Sequence, residues 1–199
     1  MEPIKKFSGR TVALPINDID TDQIIPARFL NRLRDEDFSR WLYCDLRFAP
    51  DGTEVLDFPL NRDAWRGARI VLGGPNYACG SSREHAVWAH VDYGIRAAIA
   101  PSFGDIFRNN GLKNGLLPVV LPPDVVRNLI AQVETAPGAR IAIDLPAQTV
   151  TAPDGVVHLF EIDPFAKHCL LEGLDELEFT LGLEDEIAAF ERRYGRENA

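Results

Sequence analysis

The stretch GGPNYACGSSREHAVWAH, Gly73 to His90, sets glycines, a cysteine, two adjacent serines, an arginine, a glutamate and a histidine directly before an apolar run of helical character. A core segment has no use for so many polar groups, and a solvated loop has no use for this order. The chemistry on offer is anion binding with a hydroxyl at hand. A glycine turn that feeds a helix amino terminus presents unpaired amides and the positive end of the helix dipole, and Arg83 adds a planar cation suited to a carboxylate. Ser81 stands three residues before Glu84, the capping-box spacing, so its hydroxyl is equally readable as an ordinary cap. Nucleotide and hydrolase signatures fail by count. Five residues rather than four separate Gly74 from Gly80, and no Lys follows; no glycine after Gly74 meets the GxGxxG offsets; Cys79 stands where a GxSxG elbow needs glycine.

The elements that must position this segment are readable around it. ARIVLGG (68–74) reads as a buried strand before it, and RAAIAP (96–101) as a second strand after it. Between them the spacing predicts a helix over 82–92, closed by Gly94, which accepts the left-handed conformation without steric cost. RTVALPI (10–16) predicts a strand followed by the turn-prone NDIDTDQ, where no ordinary helix is expected to start. FGDIFRNNGLKNG predicts a short helix and glycine-rich turn, LLPVVL a strand, and DVVRNLIAQVE a helix with Val125, Val126, Leu129, Ile130 and Val133 on one face. RIAIDL and VHLFEI flank the Asp-Gly turn of TAPDGV and are expected to pair as antiparallel strands. Two helices, PFAKHCLLEG and EDEIAAFERRYG, are expected to close the chain. Residues 32–63 show little periodicity, as expected of a long functional excursion. Crossovers and hairpins together predict an α/β fold in one domain, residues 1–199.

Composition narrows the function. A net charge of −9 and 46% hydrophobic residues predict a globular core and exclude nucleic acid and anionic membranes as partners. The start, MEPIKKFSGR, lacks the apolar core of a signal peptide, and a cytoplasmic protein is expected. Cys44, Cys79 and Cys169 are odd in number and far apart, with no CxxC and no zinc-finger spacing of histidines, so no metal site is expected in this chain.

YACGSSREHAVWAHVDYG, with NDIDTDQIIPARFL upstream and IAPSFGDIFRNNGLKNGLLPV and FEIDPFAKHCLLEGLDELEFTL downstream, closely resembles the small subunits of 3-isopropylmalate dehydratase, of the aconitase superfamily. The resemblance runs in order over nearly the whole chain. It implies a swivelling β/β/α domain of the aconitase C-terminal type, working with a large subunit that holds a [4Fe-4S] cluster. Together the two would interconvert 2-isopropylmalate and 3-isopropylmalate, hydroxy diacids, in leucine biosynthesis. By match to the family motif, Ser81 would be the base and Arg83, with Ser82 and the helix terminus, would hold a carboxylate. Asp22 would sit near the serine, and Arg32 or Arg34 would bind the substrate in the loop that reads its variable group, with Arg28 as an alternative. A related hydratase acting on homoaconitate, citraconate or dimethylmaleate would share the motif, and a non-catalytic anion-binding module would use the same helix end without the serine's chemistry.

Overall fold

Alternating apolar residues turn Lys6–Leu14 into a long first strand, β1, whose Val12 and Leu14 face one side of the sheet and Ala13 the other. The computed structural model describes residues 1–34 and 36–197. After β1 come the one-turn helices α1 (Thr21–Ile24) and α2 (Cys44–Arg47), then β2 (Ile70–Gly73), α3 (Glu84–Tyr93), β3 (Ala97–Ala100), α4 (Asp105–Lys113) and β4 (Leu117–Val120). Helix α5 (Pro123–Thr135) leads to β5 (Arg140–Asp144), β6 (Thr149–Thr151) and β7 (Val157–Leu159), and α6 (Pro164–Glu172), α7 (Glu176–Leu181) and α8 (Glu184–Glu197) follow. The strands form one seven-stranded sheet in the order β4-β3-β2-β1-β5-β6-β7. Strands β4 to β1 are parallel; β5, β6 and β7 continue antiparallel from the first half of β1. Helices α3 and α4 and the excursion after β1 cover one face, and α5 covers the other with Val126, Leu129 and Val133. No helix among the described residues is long and apolar enough to cross a membrane.

Three local expectations are corrected. A helix does start in NDIDTDQ: Asp20 accepts from the Gln23 amide at 2.8 Å and Gln23 Oε1 accepts from the Asp20 amide at 3.0 Å, a capping box that sustains one turn. RIAIDL and VHLFEI do not pair with each other. A tight turn at 145–148 folds Thr149–Thr151 back on β5, and the Asp154-Gly155 turn then joins β6 to β7. Among the described residues the carboxyl-terminal region has three helices, because Asp175 and Glu178 form a further capping box at α7.

The excursion is irregular, as expected, and a polar hub holds it. Buried Arg47 donates to Asn61 Oδ1 and to the Ser39 and Leu42 carbonyls, each at 3.2 Å. Asn61 returns bonds to the Arg47 and Val55 carbonyls at 2.6 and 3.0 Å. These satisfy backbone groups that no ladder reaches.

Because β1, β2 and β3 are parallel, the loops that follow them emerge at one sheet edge, the edge where open α/β sheets bind ligands. Parallel bridges Asp20–Cys79 and Tyr77–Phe103 continue the strand pairing into these loops. Such close approach requires missing side chains. A Cβ on Gly74 would lie 2.5 Å from the Ile16 carbonyl oxygen, and one on Gly104 would lie 2.5 Å from that of Ala78. Beneath the loops, the fully buried Tyr77 and Tyr43 hydroxyls bond each other, and both reach His90 Nε2, at 2.7 and 3.1 Å. His90 Nδ1 donates to the Ala86 carbonyl at 2.6 Å, so Nε2 is the acceptor. Burial holds the imidazole neutral down to about pH 4 and pushes both phenols above their usual range.

Two outcomes are expected. Gly104 has an ordinary negative φ, so Gly104→Ala meets only the steric objection of the Ala78 oxygen; urea unfolding should show a loss of about 1–3 kcal/mol, as for overpacking. For His90, the folded pKa of about 4 lies below the unfolded 6.5, so the stabilisation from keeping it neutral is complete above pH 6.5 and is lost as pH falls toward 4. Unfolding free energies at several pH values should show a decline of about 3 kcal/mol from this group, and its imidazole NMR signal should not titrate near pH 6.5.

Candidate active site

The segment between β2 and α3 folds through three left-handed residues, Asn76, Ala78 and Gly80, at φ 56°, 58° and 91°. For alanine that conformation is strained, and neighbours on both sides hold it. Asn76 donates to Asp18 Oδ1 at 2.8 Å and its amide donates to Ser102 Oγ at 2.8 Å. The Cys79 amide donates to the Ile19 carbonyl at 3.1 Å, and the Thr21 amide to the Cys79 carbonyl at 2.9 Å. Cys79 therefore serves the turn with its backbone.

Helix α3 begins at Glu84, two residues later than the spacing predicted, and Arg83 is its N-cap residue with no side-chain cap. The Ser81–Glu84 capping box is absent: the Glu84 carboxylate and the Ser81 backbone are engaged elsewhere, and the Ser81 hydroxyl reaches no α3 amide. Glu84 accepts from Asn114 Nδ2 at 2.8 Å, and Thr21 Oγ1 donates to the Ser81 carbonyl at 2.9 Å, drawing the backbone away from the helix. Ser81 and Ser82 are exposed, and neither hydroxyl has a hydrogen-bond partner among the described residues. Two free hydroxyls thus stand just before an amino terminus of α3 that has no side-chain cap.

Arg83 is buried, its side chain 8% exposed, against 57% for Asp22. Its Nη1 donates to Asp22 Oδ1 and to the Ile25 carbonyl at 3.1 Å, and its Nη2 to Asp22 Oδ2 at 2.6 Å. Its Nε has no partner among the described residues. The bond from Arg83 lowers the Asp22 pKa, helped by the Ala27 amide, so the carboxylate is held ionised. The pair is charge-neutral, and its carboxylate half is the exposed one.

The remaining arginines are distributed differently. Arg34 makes a two-pronged pair with Asp92 at 3.0 and 2.8 Å, about 12 Å along the axis of α3 from Glu84. Arg28 is engaged by Asp45. Arg32 is half exposed, with Glu36 at 3.9 Å as its ionic neighbour. The structure thus joins Arg83 to Asp22 and brings Ser81 beside Thr21, and it does not bring Arg34 or Arg28 to that point. Sequence reasoning missed Thr21 and Asn114, the two side chains that set where α3 begins. The hydroxyl-bearing Thr21 next to Asp22 was a signal for the first; Asn114 is distant in sequence and gave none.

Among the described residues, no group of three or more His, Cys, Asp or Glu is placed to hold a metal ion. Burial raises the thiol pKa of Cys44 to about 11 and raises those of Cys79 and Cys169, disfavouring the thiolates that an iron–sulfur cluster needs. The donor set of this chain does not fit such a cluster.

The family model for the aconitase C-terminal domain matches residues 1–124, and that described as LeuD_N matches residues 127–164. The chain is 53% identical over 191 residues to the 3-isopropylmalate dehydratase small subunit of Anaeromyxobacter dehalogenans, covering 96% of this chain and 98% of the relative. The corresponding proteins of Chloroflexus aggregans and Paramagnetospirillum magneticum are 52% and 48% identical, over 96% of this chain and 94% and 95% of theirs. A crystal structure of 3-isopropylmalate dehydratase from Methanocaldococcus jannaschii superposes with TM-score 0.65 at 25% identity, covering 94% of this chain and 99% of that one. With parallel strands delivering a serine–arginine loop to one sheet edge, and with this identity across nearly its whole length, the chain belongs to the 3-isopropylmalate dehydratase small-subunit family, built on the aconitase C-terminal domain.

Proposed function

We propose that this chain, acting as one domain, is the small subunit of a 3-isopropylmalate dehydratase, a hydro-lyase that interconverts 2-isopropylmalate and 3-isopropylmalate with a large subunit in the cytoplasm. The observation that carries the reading is the exposed, unpartnered Ser81 hydroxyl at the uncapped amino end of α3, beside the buried Arg83. A [4Fe-4S] cluster on the large subunit supplies, when bound, a Lewis acid for the departing hydroxide. This chain's share is the proton and the carboxylate. Ser81 Oγ, ionised by loss of its hydroxyl proton to water, takes the proton from the carbon next to a substrate carboxylate and returns it on rehydration. A serine is a weak base, and its alkoxide is tolerable only in positive potential, which the α3 amides and Arg83 provide once the large subunit excludes water.

Arg83 reaches the substrate by exchange. Asp22 fills its fork as a substrate carboxylate would, and being more than half exposed it can turn outward while the substrate turns in. Between turnovers, Asp22 keeps the buried guanidinium paired, avoiding the cost of an isolated charge.

The chain alone is expected to show no dehydration of 3-isopropylmalate, and addition of a family large subunit with iron and sulfide should restore turnover. Activity of the single chain in a metal-free sample would sink the reading. In the assembled enzyme, Ser81→Ala should lower kcat at least about a hundredfold, as for loss of a positioned base. Since the hydroxyl caps nothing, its thermal unfolding should match the parent's to within about 0.5 kcal/mol. Arg83→Lys keeps a charge but loses the planar fork, so KM should rise as well as kcat fall. A folded, assembled Ser81→Ala enzyme with near-parental activity would leave the serine without a role in the chemistry.

A further inference from the structure

Helix α3 presents Ser81 at its amino end, and along its outer face it carries His85, Trp88 and Asp92, spaced by three and four residues, so that they form one row. This row grips the arginine-bearing loop. The His85 ring lies against the main chain of Leu30 and Arg32, with burial lowering its pKa, and packs on Trp88 at 4.5 Å between centroids. The Arg34 guanidinium lies 5.4 Å from the Trp88 ring centroid and gives both prongs to Asp92. Asp92 Oδ2 also accepts the Phe38 amide at 3.0 Å. The Phe38 ring is fully buried, edge-on to Trp88 at 5.5 Å.

Asp92 is not explained by α3 itself. It sits in the last turn, where the helix dipole is negative and a carboxylate is disfavoured, and its side chain is only 15% exposed against 47% for Arg34. Its hydrogen bonds run to the loop, to Arg34 and to the Phe38 amide. One carboxylate thereby fixes two points of the loop on the helix that carries the catalytic serine at its other end.

We propose that Asp92 is a positioning residue for the reaction: by holding Arg34 and the Phe38 amide it sets the loop against α3, so that Arg34 is an anchor and Arg32 is the loop cation left to meet the substrate. Arg32 suits that part, being half exposed, with Glu36 at 3.9 Å as its ionic neighbour and its guanidinium 5.7 Å from the Trp41 ring. The inference rests on the dehydratase reading and deepens it by assigning the loop's cations.

The test is a double-mutant cycle of Asp92→Asn and Arg34→Gln in the enzyme assembled with a large subunit, joined to tryptic cleavage of the free full-length chain. Each single variant should raise KM for 3-isopropylmalate about tenfold, the worth of one hydrogen bond to a charged group, with kcat changed less than about threefold. The double variant should be no worse than Asp92→Asn alone, because once Asp92 is changed the Arg34 contact is already lost. Asp92→Glu, which keeps the charge, should recover most of the loss, and cleavage after Arg32 should quicken about tenfold in Asp92→Asn. Arg34→Gln acts from the exposed side of the contact and reports on it even if Asp92→Asn does not fold. Additive losses, or Arg34→Gln far more damaging than Asp92→Asn, would make Arg34 a substrate ligand and overturn the proposal. If the parental complex shows no dehydratase activity, the functional reading fails by itself and cleavage decides the anchor: an unchanged rate after Arg32 in Asp92→Asn overturns it.

Discussion

Three side chains with no solvent contact, Tyr43, Tyr77 and His90, share one set of hydrogen bonds, and they come from three different parts of the chain. Tyr77 belongs to the loop that carries Ser81, His90 to α3, and Tyr43 to the excursion that carries the arginines. Buried polar groups are costly when unpaired and rigid when paired, so these three surfaces have one way to meet. The Tyr77 ring also covers Gly73, where a Cβ would lie 2.3 Å from its Cδ2, so the loop leaves β2 in a single direction. Beyond that anchor the chain passes through the left-handed residues Asn76, Ala78 and Gly80 before α3 begins.

Above this neutral base the charges are arranged by exposure. Arg83 is buried and Asp22 is not, so the cation is the enclosed member of the pair and the carboxylate the one open to solvent. Arg34 and Asp92 reverse this: the carboxylate is the more buried partner and the arginine the more exposed. The first arrangement suits binding of an anion, the second suits holding a loop. The hydroxyls of Ser81 and Ser82 are exposed at the sheet edge where the loops emerge, as expected of half a site. A second subunit that closes it would also remove the water that screens Arg83 and the helix amides.

Much of this was legible in the residues. Apolar alternation located β1, β2, β3 and β4, because each is buried on both faces or alternates cleanly between them. The single apolar face of DVVRNLIAQVE located α5, and Gly94 ended α3 in the left-handed conformation as expected. Order and type along GSSRE, with the flanking motifs, were enough to identify the family, since an identity this broad is carried by the chain as written.

What the residues did not determine were the choices between competing hydrogen bonds. Ser81 and Glu84 have the spacing of a capping box, yet Thr21 bonds the Ser81 carbonyl and Asn114 the Glu84 carboxylate, from sixty and thirty residues away, and the box does not form. RIAIDL can pair with either of two following segments, and the turn at 145–148 decides for the nearer. Arg28, Arg32 and Arg34 are equivalent by type and neighbourhood in sequence, and only the folded positions of Asp45, Glu36 and Asp92 distinguish them. The physical reason is common to all three. Apolar periodicity is a local property that the chain carries with it, whereas a polar group's partner is whichever group the packed core happens to bring within about 3 Å, and that is settled only when distant segments have met.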